Sequence, residues 1–331
     1  MNRLKLFFAI ALALFVFSGA SAADPLELKQ TIKLDGKAGN LDHLAVDVKG
    51  ERLFVANKPN NTLDVIDLKT GKMVKQIADQ GKVSGVAYSE EFDRVYVGNG
   101  AGTCNAFDCK EYKLAFSVKL AKADNVNYHA AAKMVYVAHG DSISALDAKT
   151  GEVKAKVALP GDAHGFGIDE KANKLYVSLT KPSQVAVIDL AKHEVTDKFP
   201  LALAQGNSPL VHDGATGRVF VGCRKEPMVV ILDAKTGKEL SGVAIPGDID
   251  DLLFDPKTGR LYAICGGGAV AVIEKVGDKY EVVAKVETPK SARTATLSPA
   301  GDRLFLGVPV QGGTGGPEVR VFAVRPPTPK P

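Results

Sequence analysis

Short apolar, β-branched runs alternate with polar turns along this chain, and one run recurs seven times as an apolar–aromatic–apolar triplet. The copies are Leu53-Phe54-Val55, Val95-Tyr96-Val97, Val135-Tyr136-Val137, Leu175-Tyr176-Val177, Val219-Phe220-Val221, Leu261-Tyr262-Ala263 and Leu304-Phe305-Leu306, spaced 40 to 44 residues apart. Residues of these types favour a pleated, covered surface. In the third copy the pattern predicts strand A over Asn125–His129, B over Met134–Ala138, C over Ser142–Asp147 and D over Glu152–Leu159. A period near 40 with about four strands per copy predicts an all-β, seven-bladed β-propeller with four-stranded antiparallel blades.

The turns support the same reading. Asp147-Ala148-Lys149-Thr150-Gly151 recurs as Asp67-Leu68-Lys69-Thr70-Gly71 and as Asp233-Ala234-Lys235-Thr236-Gly237. Asp closes such a turn onto nearby backbone, and Gly supplies the positive φ. Because these aspartates recur from blade to blade, they read as structural rather than catalytic. The last copy has A (Thr294–Ser298), B (Arg303–Val308) and C (Glu318–Val324) but no D strand. The segment from Leu28 to Gly36 resembles the D strand at 153–161, so the N-terminal strand is expected to complete blade seven and leave no unpaired edge.

The ends of the chain add a destination. Met1-Asn2-Arg3-Leu4-Lys5, an apolar run over Leu6–Phe17 and Ser18-Gly19-Ala20-Ser21-Ala22 have the layout of a signal peptide over residues 1–22, cleaved after Ala22. The apolar run is shorter than the ~20 residues of a membrane span. The expected product is a periplasmic or secreted protein with no transmembrane segment. It would comprise one propeller over residues 23–325 and a disordered Pro-rich tail over 326–331. Loss of Arg3 and Lys5 lowers the formal charge from +4 to +2, far from the basic footprint of a nucleic-acid binder.

The triplets with their followers, Leu53-Phe54-Val55-Ala56-Asn57 and Val95-Tyr96-Val97-Gly98-Asn99, resemble the YVTN repeat of the YncE-like seven-bladed propellers. The resemblance runs through almost the whole chain after the leader. It implies the fold and an exported bacterial protein, and it brings no catalytic residues with it. Related propellers include lactonases, whose active-site motifs have no counterpart here.

A candidate site emerges where the copies disagree. Alignment on the triplet puts Asp42, Ser84, Asp124, His164, Ser208, Asp250 and Arg293 at one position near the start of strand A. The next position holds His43, Gly85, Asn125, Gly165, Pro209, Asp251 and Thr294. In a propeller these positions rim the central channel on the face shared by the D-to-A and B-to-C loops. A ligand site at the top of the channel is therefore expected over Asp42, His43, Asp124, Asn125, His164, Asp250, Asp251 and Arg293. One chemistry is a divalent metal ion held by Asp42, Asp124, His164 and Asp250. The other is an anionic small molecule held by Arg293 and His164 together with Lys58, Lys181, Arg224 and Lys225.

The ends of the B strands suggest a second ring on the same face: Asn57, Asn99, His139, Leu179, Cys223, Cys265 and Val308. Cys223 and Cys265 occupy equivalent points on neighbouring blades, ~10 Å apart, where a bridge and two buried thiols are both open. Cys104 and Cys109 bracket a strand of roughly 17 Å, so a local disulfide would break it. Absence of C-x-x-C argues against a redox dithiol. His129, His193 and His212 read as satisfied or solvated side chains. The stretch Val310–Gly316 reads as a rim or lid loop.

Three functions follow in order of preference. The first is a monomeric binding or interaction scaffold whose partner is a small molecule or a periplasmic protein on the top face. The second is a metal-dependent, lactonase-like hydrolase using the channel-mouth carboxylates. The third is an accessory subunit of a periplasmic redox system. Because no catalytic constellation stands out, a non-enzymatic role is preferred.

Overall fold

A computed structural model describes residues 24–311 and 315–327. The expected leader over 1–22, the centre of the 310–316 loop and the end of the tail lie outside the described residues. Seven separate four-stranded sheets are arranged as the blades of a ring, and every pairing within them is antiparallel. Blade three comprises Ala123–His129, Met134–His139, Ser142–Asp147 and Val153–Ala158 in that spatial order.

Blade seven is closed by the two ends of the chain, as the repeat pattern requires. Its sheet runs Leu26–Lys33, Glu318–Val324, Arg303–Val308, Thr294–Leu297, with Leu26 opposite Val324 and Lys33 opposite Glu318. The Arg325 N–H donates to the Pro25 carbonyl at 2.9 Å and Arg325 pairs with Glu27 at 2.8 Å, which fastens the end of the seam. Among the described residues no helix is long and apolar enough to cross a membrane.

The cores lie between blades rather than within them. Both faces of a B strand are covered by neighbours, which is why the triplets are fully buried. Tyr136, Ile143 and Val157 of blade three pack against Phe166, Leu175 and Val177 of blade four. Removing each such side chain from water contributes about 1.5–3 kcal/mol.

The aromatic of the triplet also explains why the turn repeats with it. The Tyr96 hydroxyl donates to the Ala148 carbonyl at 2.9 Å, and Tyr176 to Ala234 at 3.2 Å. Both acceptors sit just after the Asp of the next blade's C-to-D turn. Arg94 reinforces the contact by donating to Ala148 and Lys149. At blade seven that turn does not exist, because strand D comes from the N-terminus. There the buried Tyr262 hydroxyl has no such turn carbonyl to donate to, and the neighbouring Arg260 reaches the Arg325 carbonyl.

Candidate functional site

In blades two to six the inner strand begins with a β-bulge, and the bulge shapes the channel mouth. In blade three Ala123 faces His139 and Val126 faces Val137, so Asp124 and Asn125 together oppose Ala138. The same extra residue occurs at Ser84-Gly85, His164-Gly165, Ser208-Pro209 and Asp250. In a regular strand two successive side chains would face opposite ways; a bulge re-aims one of them. Both Asp124 and Asn125 consequently line one cavity, and Asp42 and His43, both bonded to the Ala56 backbone, line it too. The wall is close-packed: a Cβ on Gly165 would meet the Ser208 carbonyl at 2.7 Å and the Leu210 nitrogen at 2.9 Å in the next blade.

The cavity, about 250 Å³ in volume, brings together all seven residues of the first aligned position: Asp42, Ser84, Asp124, His164, Ser208, Asp250 and Arg293. From the second position, His43 and Asn125 also line it, while Asp251 lies one layer down in the channel and Thr294 is buried. Of the predicted loop bases, Lys58 and Arg224 reach the cavity, but Lys181 and Lys225 do not. Lys225 turns to Gln205 at 2.9 Å. Sequence reasoning missed Lys82 and Lys122, which line the rim. A signal existed: each stands two residues before its blade's aligned ring residue, Ser84 or Asp124.

Most of the charge is already paired. Lys58 Nζ donates to Asp42 at 2.6 Å, and the nearby carboxylate raises the Lys58 pKa against the opposing effect of burial. Asp250 lies between Arg224 and Arg293, the latter at 2.9 Å. Burial pushes the Asp250 carboxyl up, and the two guanidiniums oppose that rise. His43 contacts Asp251 at 3.1 Å and Asp42 at 3.7 Å. Burial alone would favour its neutral form, but Asp251, Asp42 and Asp250 outweigh it and push His43 up to about 10. Ser84 sits between two carboxylates, 2.7 Å from Asp124 and 3.1 Å from Asp42. Burial of Asp124 is outweighed by His164, at 3.6 Å, and by Ser84, which hold its carboxyl well below the usual range.

This arrangement does not suit the metal set Asp42, Asp124, His164 and Asp250. Among the described residues no three or more His, Cys, Asp and Glu side chains are grouped to hold a metal ion. Asp250 and Asp42 would have to leave their cationic partners first. An ordered set of fixed charges can instead bind and orient a polar small molecule.

The second expected ring is corrected by burial. Asn57, Asn99, His139, Leu179, Cys223, Cys265 and Val308 are all at most 2 % exposed, so they do not open onto the top face. The polar members are partnered internally on one side each: Asn57 donates to Asp64 at 2.7 Å, Asn99 to Thr103 at 3.1 Å, and His139 contacts Ser144 at 2.8 Å. Cys104, Cys109, Cys223 and Cys265 are free and buried, and burial pushes each thiol up to about 12. Thiols so protonated are poor nucleophiles.

No family model matches the chain. Two curated relatives, both uncharacterized proteins named YncE, from Salmonella typhimurium and Salmonella typhi, are 27% identical over 188 residues. That stretch is 54% of this chain and 52% of theirs, so the chain spans about half the length of the curated relatives it matches. Among solved structures, Kuenenia stuttgartiensis hydrazine synthase superposes with a TM-score of 0.72 at 17% identity, over 88% of this chain and 97% of that one. That likeness is one of fold alone. The sevenfold triplet, the ring of seven blades and the similarity to the YncE proteins together make this chain a YncE-like seven-bladed β-propeller.

Proposed function

We propose that the protein is an exported, non-catalytic binding propeller that takes a small charged molecule at the top of its central channel. One observation carries the reading: an otherwise repetitive frame gathers one polar residue from each blade, of four types, around a single cavity, from Asp42 on blade one to Arg293 on blade seven. Repetition is kept where blades pack and abandoned where a ligand would touch. Concave sites with a few convergent polar groups are the usual places for small-molecule binding. The fixed ion pairs supply orientation, and the buried thiols supply no nucleophile.

A thermal-shift screen of small organic anions and cations tests this reading. Compounds that stabilise the wild type but not Asp124→Asn or Asn125→Ala support it. A screen without stabilising compounds, or with stabilisation that survives both substitutions, overturns it. Export to the periplasm as a monomer cleaved after Ala22 belongs to the same proposal. N-terminal sequencing of protein recovered from a periplasmic fraction checks it, and a first residue other than Ala23 counts against that cleavage site.

A further inference from the structure

We infer that the ligand is a small dicarboxylate, held over blades two and three by Lys82 and Lys122. The inference deepens the binding reading above and rests on it. It comes from subtracting the ion pairs that the mouth already makes. Asp42 holds Lys58, Asp250 holds Arg224 and Arg293, and Asp251 holds His43. Two permanent cations lining the cavity remain: Lys82 and Lys122 make no ion pair among the described residues.

The loops show how these two lysines are left over. Blades two, three, five and six share one backbone frame at the rim, in which the first B-to-C loop residue donates its N–H to the D-to-A loop. Gly100 donates to the Lys82 carbonyl at 2.9 Å, Gly140 to Lys122 at 3.0 Å, and Arg224 to Gly206 at 3.1 Å. In blade five the base stands on the B-to-C side and reaches Asp250 in the next blade. In blades two and three the base has moved to the D-to-A side and glycine replaces it opposite. A Cβ on Gly100 would come within 3.2 Å of the Lys82 Cβ, so a larger residue there would crowd the lysine stem. The one carboxylate at that side, Asp124, is engaged by Ser84 and flanked by His164.

Two separate point charges on neighbouring blades suit two separate anionic ends. The guanidinium forks, which favour a single planar or phosphate group, are already occupied by Asp250. A cavity of about 250 Å³ has room for a small dicarboxylate. Monocarboxylates would leave one lysine unanswered.

The test uses the full chain with succinate as the anionic probe and spermidine as the cationic one. Binding is followed by calorimetry at low salt and by the ring resonances of His164. Succinate should bind saturably and shift His164. Lys82→Ala/Lys122→Ala should weaken binding at least tenfold, while Lys235→Ala on a C-to-D turn leaves it unchanged. Added salt should weaken it as well. Succinate that fails to bind, or binds equally to the double variant, overturns the inference. A His164 shift with spermidine and none with succinate overturns the dicarboxylate while leaving the mouth a binding site.

Discussion

Along blades six, seven and one, each acidic side chain of the mouth has a basic one against it: Asp250 between Arg224 and Arg293, Asp251 with His43, Asp42 with Lys58. Along blades two to four the rim is different. Lys82 and Lys122 stand without acidic partners among the described residues, and Ser84 and His164 attend the single carboxylate of Asp124. The paired half is committed to its own structure, since removing any member leaves a half-buried charge behind. The unpaired half has charge to spare and little packing to lose. Binding capacity and structural cost therefore separate around one ring.

The largest perturbation removes the frame that holds both halves. Deleting residues 23–36 takes away the outer strand of blade seven and should abolish the cooperative thermal transition; a truncated protein that melts sharply would contradict the closure. Next comes Asp250→Ala, which leaves Arg224 without its carboxylate and Arg293 with Asp248 alone, and should cost roughly 1–3 kcal/mol in chemical denaturation. Lys82→Ala and Lys122→Ala should each stay within about 0.5 kcal/mol of wild type. Equal costs on the two sides would erase the distinction between them.

A pH titration of stability probes the paired half more gently. His43 is raised from 6.5 to about 10 in the folded protein. Its contribution is thus complete below pH 6.5 and is lost as pH rises towards 10. Melting temperature should decline across that window, and His43→Gln should flatten the decline. An unchanged slope in that variant would assign the effect to other groups. The smallest effects lie at the seams between blades. Tyr96→Phe should cost about 1 kcal/mol by removing one of the two donors to the Ala148 carbonyl, Arg94 being the other. Tyr262→Phe, whose hydroxyl has no such turn carbonyl to donate to, should cost less.

The architecture was legible in the sequence because its signals are repeated and local. The triplet marks the doubly covered B strand, and Asp-x-Lys-Thr-Gly marks the turn that the neighbouring tyrosine grips. The missing fourth strand of blade seven, set beside the orphan strand at the N-terminus, even showed where the ring closes. The mouth ring was legible as well, because alignment on the triplet carries every blade to the same height. The bulges were not, since Asp124-Asn125 reads equally well as a loop before the strand; the strand in fact starts at Ala123. Asn57, Asn99 and His139 misled for a different reason. Polar residues at a strand end look wet, but here they are buried and turn to partners within the blade such as Asp64 and Thr103. Lys82 and Lys122 escaped notice because their meaning depends on glycines in another loop.

The seam of blade seven bears on how the molecule can be held. Strand D of any blade ends at the mouth face and strand C ends at the opposite one. Pro25 and Arg325, bonded to each other, therefore both lie on the outer edge furthest from the mouth. A tether attached through either end would leave the cavity pointing away from the point of attachment. Immobilised by a terminal tag, the ring would stand like a cup on its base, with Lys82 and Lys122 at the lip.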